Sequence, residues 1–441
     1  MLPVRTIPQG EDRALEFLAA ALVVSAFAFG GGSRGLGDVI VLLTSLPVLF
    51  VACLRWSWAM QPLPVRVAVL TVAGAIAWHA VQLILLPASW IRFLPMRAEM
   101  LADLEVAQAA PSWLPMTLDR WGTIRSMVAL TVFGAMLSMF SSLGRGGRIR
   151  LLKVAVLTGC AMSLLGYAQA AAGQRSGLRF YDYHHMIGAL GTFANRNHFA
   201  CLMAMLAPIA IGLAAQATKA RKTGALMWHG AATTLLLAAG LSFSRTGFVL
   251  ACASAVAAFL LTSSRLKRSL LGVAFAVLAA AGLITAYAWS GLSARLQQDP
   301  LKDLRWQYVR YGWQAVKAYF PYGSGPGSFQ HAYAPFEPVA KMGHVYALHA
   351  HNEFLELALE WGLVGGVFII AVLVLLFFVV RNKLIVAERR SAILVGSVVA
   401  TTVPMLHSLV DYPLRTYAIM AALALASSMA LSRGDSKGGR E

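Results

Sequence analysis

Apolar runs of about twenty residues recur along the chain, separated by polar breaks. Runs of that length read as transmembrane helices. They are continuous, without the polar–apolar alternation of barrel strands, so helices are the expected element. Hydropathy places about twelve spans, near 14–30, 38–54, 65–86, 124–143, 151–171, 198–215, 225–241, 247–262, 269–289, 363–380, 391–410 and 416–431. The pair around 225–262 is interrupted by the polar turn Ser242-Phe243-Ser244-Arg245-Thr246, so a single re-entrant feature there is the competing count, with ten or eleven spans in all. The first run follows Glu11 and Asp12 and has no small-residue cleavage site, so it is expected to be a membrane span and not a signal peptide.

Composition agrees with that class. The chain is 58% hydrophobic and 13% charged, with a mean hydropathy of +0.66. A soluble domain this apolar would expose large patches. The net charge of +18 is spread over short loops: Arg145/Arg148/Arg150/Lys153, Lys219/Arg221/Lys222, Arg265/Lys267/Arg268 and Arg381/Lys383/Arg389/Arg390. These fall on one side of the membrane together with both termini, and the positive-inside rule makes that side cytoplasmic. Their cations serve as topology signals and anionic-lipid contacts. No nucleic-acid-reading module is visible. Cys53, Cys160, Cys201 and Cys252 lie in or near apolar spans, which points to buried thiols and no disulfide framework. There is no internal repeat, and the last ten residues form a short polar tail.

The opposite side carries the candidate chemistry. It receives segments 87–122, 172–197, 242–246, 290–362 and 411–415. The organisation expected is therefore nine spans over 1–289, a long external loop with helical elements over 290–362, and three spans with a cytoplasmic tail over 363–441. A loop of that length is functional or disordered, and Trp306, Tyr308, Tyr311, Trp313, Tyr319 and Phe320 argue against disorder. Arg305 and Arg310 share a helical stretch with these aromatics, suited to the membrane interface or to sugar rings; an interfacial aromatic belt is the plainer reading.

Four constellations stand out on this side. In the first, Asn195 or Asn197 can cap a helix beside Arg196 and His198, and a helix N-terminus with a guanidinium is an anion site; a cap with a snorkelling arginine is the plainer alternative. In the second, Ser244 and Arg245 form a polar turn near hydrocarbon, where an arginine is costly unless paired or hydrated; it reads either as a phosphate-sized nest or as a turn that ends two helices. The third is His349-Ala350-His351-Asn352-Glu353, after the turn Gly323-Ser324-Gly325-Pro326-Gly327. Histidine titrates near neutral pH, so one held at a bilayer boundary can move a proton. In the fourth, His407 to Arg415, Asp411 and Arg415 are expected to pair across their turn.

Taken in order, Gly191-Thr192-Phe193-Ala194-Asn195-Arg196-Asn197-His198, Ser242-Phe243-Ser244-Arg245, the glycines 323, 325 and 327, and His351-Asn352 followed by Gly362 and Gly365 resemble the O-antigen ligase/polymerase superfamily of bacterial inner-membrane glycosyltransferases. The resemblance runs from the fifth span to the end of the chain. It implies an all-α, polytopic, GT-C-like fold with a helical periplasmic loop domain. It implies a glycan donor on undecaprenyl diphosphate, a sugar hydroxyl as acceptor and inverting transfer without a metal or other cofactor. Carried over by position, Arg196 and Arg245 match the family's diphosphate-holding arginines and His351 its catalytic histidine. Asn195, Asn197, His198, Ser244, Arg305, Arg310, His349 and Asn352 are supporting candidates.

This chemistry is physically coherent. Fixed guanidinium groups can stabilise a leaving diphosphate, and a neutral histidine can take the proton of an attacking hydroxyl. No glycosidase-like carboxylate pair is evident. A metal held by His349 and His351, or by His184 and His185, is the weaker option because no carboxylate or thiol completes the set. The form Asn195-Arg196-Asn197-His198-Phe199 and the segment 407–415 favour a polysaccharide polymerase, with transfer to lipid A–core by a ligase the runner-up. Relatives that glycosylate proteins usually carry an extra C-terminal region, which is not expected here. A lipid-linked-sugar transporter is the alternative of another class; it would show an inverted repeat and midplane charges, and neither is clear.

Overall fold

The computed structural model describes residues 9–32, 35–173, 176–181, 188–221, 223–262, 304–339, 347–386 and 391–432. The ninth expected span, the His184–His185 pair, Lys222, the cations at 265–268 and 389–390, and both chain ends lie outside the described residues.

The fold is all-α. Eleven of the expected spans are helices: α1 (Gln9–Phe29), α2 (Gly35–Arg55), α3 (Leu63–Gln82), α6 (Arg120–Ser142), α7 (Arg145–Ala172), α8 (Arg196–Lys219), α9 (Ala225–Leu241), α10 (Arg245–Thr262), α13 (Glu353–Val380), α14 (Ala392–His407) and α15 (Tyr417–Ala430). Among the described residues seven helices are long and apolar enough to cross a membrane, and α9, α14 and α15 are shorter apolar helices. The chain is therefore a polytopic membrane protein. The 225–262 region forms two helices, α9 and α10, joined by the tight turn 242–244. Lipid-facing surface is plain on α13, where Leu363, Val367 and Ile370 are exposed.

The centre of the bundle is α8, whose apolar window is 94% buried. Small residues let α14 approach it closely. A side chain at Gly396 would meet the Pro208 carbonyl, and one at Gly212 would meet the backbone of Ala392 and Ile393. Such small-residue contacts are the usual means of helix packing in lipid, where no hydrophobic force separates helix from tail. Cys201 is buried at this centre, whereas Cys53 faces outward and is exposed, contrary to the buried thiol expected there.

Polar loops gather at one end. The segment between α3 and α6 carries α4 (Ala88–Ile91), α5 (Arg97–Val106) and a two-stranded antiparallel ladder, with Leu86 opposite Leu114. The long loop supplies α11 (Leu304–Tyr319) and α12 (Phe329–Tyr333). Tyr308, Tyr319, Phe329 and Tyr333 form a second core with Leu355 and Leu359 of α13. Trp306 and Trp313 point away and stay exposed, so α11 is amphipathic, with its inner face on α13.

Arg97 fastens the two loop systems. It is fully buried, and its Nη2 donates to the Met116 carbonyl at 2.7 Å and the Ser324 carbonyl at 3.3 Å. Burial pushes its guanidinium down to about 10, while the Tyr319 phenol works the other way. At the opposite end Arg150 pairs with Glu16, and Arg148 donates to the Ser428 carbonyl at 2.8 Å. The turn at Gly30–Gly32 also belongs to the loop end, because the Ala194 amide donates to the Gly31 carbonyl at 3.2 Å. This turn is not among the external segments expected from the sequence.

Candidate functional site

The start of α13 organises the site. Asn352 is its N-cap, with the side-chain oxygen accepting from the Leu355 amide at 3.0 Å. Its side-chain amide donates to the Leu409 carbonyl at 3.0 Å, fixing the 408–416 turn beside it. Gly362 then breaks the helix with φ 59° and ψ −134°. A side chain there would collide with the Pro321 carbonyl and the Gly323 amide. The glycine-rich turn lies against this kink: the Ser324 amide donates to the Leu359 carbonyl at 3.0 Å and the Gly325 amide to the Glu360 carbonyl at 2.9 Å. Gly323, Gly325 and Gly327 all have positive φ, a conformation that costs other residues strain. The distant glycines of the motif set therefore meet in one joint.

His351 sits just before the cap in the left-handed region, φ 51°. A non-glycine residue is held there at a cost of about 1–3 kcal/mol, and such strain gathers at functional sites. Its Nδ1 donates to Asp411 Oδ1 at 3.1 Å. With that proton on Nδ1, Nε2 is the basic nitrogen. The ring lies parallel to Tyr308 at 6.1 Å and edge-on to Tyr412 at 5.1 Å.

Asp411 is the hub. It is fully buried and accepts from the Asn197 side chain at 2.5 Å and the Tyr412 amide at 3.0 Å. His198 Nε2 stands 3.8 Å from Oδ1 and Arg305 Nη2 3.9 Å from Oδ2. Burial alone would raise its carboxyl, but His198 and His351 outweigh this and hold it well below the usual carboxylate range. The expected Asp411–Arg415 pair is not formed. Arg415 turns instead to Glu356 Oε1 at 3.0 Å and Glu360 Oε2 at 3.2 Å. Burial opposes its charge, yet Glu356, Glu360 and Glu353 raise its guanidinium above the ordinary arginine value. The turn aims the two residues at different elements, so their spacing does not join them.

A second histidine–carboxylate pair lies alongside: His349 Nδ1 is 2.8 Å from Glu356 Oε1, and its ring is 4.1 Å from that of Tyr412. Glu353, Glu356 and Glu360 are buried on one face of α13. Ser408 donates to Glu353 at 2.8 Å and the Phe329 amide to Glu360 at 3.1 Å.

The structure thus brings together Asn197, His198, Arg305, His349, His351 and Asn352. Asn195 caps α8 by accepting from the Asn197 amide at 2.8 Å, which leaves Arg196 as the first helical residue. Ser244 caps α10, accepting from the Gly247 amide at 3.2 Å, so the turn that ends two helices accounts for this serine. Arg245 is exposed and makes no ion pair with a described residue. Arg310 is exposed on α11, 5.9 Å from the Tyr311 ring. Among the described residues, no three His, Cys, Asp or Glu side chains form a metal-binding set.

A cavity of about 870 Å³ adjoins the cluster, within the usual range for ligand pockets. Its polar end is lined by Asn195, His198, His349, Glu353, Tyr412 and Arg415. It continues between α6, α13 and α15 along Phe133, Leu137, Val372, Leu376, Leu423 and Leu431. His351 is not on its wall and connects to it through Asp411 and Tyr412. The residues that sequence reasoning missed are Asp411 as the partner of His351, Glu356 as that of His349, and Tyr412 between them. Three glutamates at helical spacing on an otherwise apolar span were the available signal.

A protein-family model described as O-antigen ligase matches residues 230–370. That region holds the turn at 242–245, the long loop, both histidine pairs' imidazoles and the Gly362 kink. No protein with a curated description matches the chain.

Proposed function

We propose, from the match of residues 230–370 to a family model described as O-antigen ligase, that this chain is a membrane enzyme of the O-antigen ligase/polymerase superfamily and that it moves a glycan from undecaprenyl diphosphate to a sugar hydroxyl at the periplasmic face, as a polysaccharide polymerase. The observation that carries the reading is the Asp411–His351 pair, set beside a cavity with a polar end and an apolar trunk. The trunk suits a polyprenyl tail; the polar end suits the head group.

In this mechanism His351 Nε2 takes the proton of the acceptor hydroxyl as its oxygen attacks the anomeric carbon. The bond from that carbon to the diphosphate oxygen breaks, and the diphosphate leaves with the electron pair. Attack from the face opposite the leaving group inverts the centre. Asp411 keeps Nε2 basic and stabilises the imidazolium that forms, as a buried carboxylate does for a general-base histidine. Arg196 and Arg245 are assigned to the diphosphate by family position. His198, Asn197 and Arg305 position Asp411, Asn352 holds the turn beside it through the Leu409 carbonyl, and Ser244 and Arg310 keep supporting roles by family position alone.

The second reading, transfer of finished glycan to lipid A–core, is favoured by the ligase description of the matching family model. Acceptor choice separates the two. Purified protein would be incubated with an undecaprenyl-diphosphate-linked repeat unit, with and without lipid A–core, and the products resolved on a gel. A ladder from donor alone is the expected result. A single shift that needs lipid A–core would establish the ligase instead.

A further inference from the structure

Two arginines line the cavity, Arg125 and Arg415. Arg415 is saturated by Glu356 and Glu360 at 3.0 and 3.2 Å. Arg125 is not. Its side chain is 76% exposed, and its nearest carboxylate oxygen, Asp119 Oδ2, is 3.8 Å away. That oxygen also faces His331 at 3.9 Å, while the other caps α6 through the Gly122 amide at 2.9 Å. Arg125 makes no hydrogen bond within the described residues, so its planar donor fork is available. Neither Arg196 nor Arg245 is on the cavity wall.

Its place on α6 is informative. Gly122, Arg125, Ser126, Ala129, Phe133 and Leu137 all face the cavity at helical spacing. The stripe runs from polar to apolar over about 22 Å at 1.5 Å per residue. Across the cavity α13 repeats the order, from Glu353 and Glu360 down to Ile369, Leu376 and Val379. A cation above a long apolar trough matches an amphiphile with an anionic head and a polyprenyl tail.

We propose that Arg125 is a further binding residue for the diphosphate of the polyprenyl donor, engaging it from the polar end of this cavity in addition to the two arginines assigned by family position. This rests on the donor class proposed above. An ordinary phospholipid phosphate offers the same anion chemistry, so the test must separate the two sources.

The experiment is direct binding of labelled undecaprenyl diphosphate, without glycan, to the full chain in phosphatidylcholine nanodiscs. Arg125→Ala is expected to weaken binding about ten- to a hundredfold, the usual consequence of losing a charge-assisted contact. Arg125→Lys should fall between, because the charge stays and the fork is lost. Phosphatidylglycerol should displace the probe poorly. Unchanged affinity in Arg125→Ala overturns the proposal, as does phosphatidylglycerol competing as well as unlabelled probe. If the alanine variant does not insert, Arg125→Gln takes its place, with the same loss expected and the same unchanged affinity overturning the proposal. Wild-type protein that binds the probe but transfers nothing from a glycosylated donor would sink the transfer reading and leave Arg125 to be judged on binding. Wild-type protein that does not bind the probe overturns both.

Discussion

Replacing Asp411 by asparagine tests the central pair with almost no change in volume. The carboxylate accepts from His351 and the Tyr412 amide on one oxygen and from Asn197 on the other. An asparagine amide cannot accept on both sides. If its oxygen stays toward His351, its NH2 confronts the Asn197 donor. If it flips, the NH2 faces His351 Nδ1 and draws the proton to Nε2, which removes the base. The charge is lost in either case. An imidazolium and a carboxylate about 4 Å apart attract by roughly 4 kcal/mol at an effective dielectric of 20, or about three decades in rate. The His351 side chain is 27% exposed, and solvent screening brings the expected loss in kcat to roughly 10²–10³-fold.

Single-turnover transfer from a labelled undecaprenyl-diphosphate donor, in nanodiscs, is the assay. Asp411→Asn, His351→Ala and the double variant form a cycle. If the two residues act as one unit, the double variant is no slower than His351→Ala alone. Refutation would be a well-inserted Asp411→Asn with full kcat, or a double variant slowed by the product of the two single effects. Asp411 does not itself titrate in the working range. Because its folded value is depressed, its stabilising effect is complete above the ordinary aspartate value of about 3.9 and is lost as pH falls through the lower folded value. An activity loss between pH 5 and 7 therefore has to come from another group.

His351→Ala should abolish transfer while the protein still inserts; full activity in an inserted variant would remove His351 from the mechanism. Arg196→Ala and Arg245→Ala should each weaken use of the diphosphate donor about ten- to a hundredfold, with partial rescue by lysine; unchanged donor dependence in both would contradict their family-based assignment. Gly362→Ala should destabilise by at least about 1–3 kcal/mol, since φ is positive there and the new methyl meets the Pro321 carbonyl. An unaltered melting temperature would show that the kink relaxes at no cost.

The spans were legible because hydropathy reports the solvent each residue faces, and each of the eleven that fall within the described residues has a helix where its apolar run stands. The caps at Asn195 and Asn352 were also local: residue type and the following helix fix them. Asp411 and Arg415 were misread for the same reason. Opposite charges flanking one turn suggest a pair across it, but pairing depends on where the turn aims each side chain. Here the chain leaves α14, turns and makes a short 3-10 step at Pro413–Arg415, so Asp411 faces α8 and the long loop while Arg415 faces α13. Glu353, Glu356 and Glu360 pass for part of a helical repeat, although three carboxylates at the edge of an apolar span require partners.

The weakness of each motif by itself follows from this geometry. His351 acquires a defined tautomer only through Asp411, sixty positions away in the chain. Asp411 in turn is held by Asn197 from the first turn of α8. The glycine turn is explained only by the Gly362 kink it packs against. Each segment supplies half of a contact, and a half-contact carries little sequence information beyond one residue type. The two carboxylate–imidazole pairs share Tyr412 between them, so displacement of the 408–416 turn would disturb both at once. The turn's anchors are the Asn352 side chain on the Leu409 carbonyl and the Glu353 amide on the Ser408 carbonyl, 3.0 and 2.9 Å long. Both anchors come from the two residues directly after His351. The position of asparagine next to histidine is thus a structural requirement: the same cap that starts α13 holds the turn that presents Asp411 to His351.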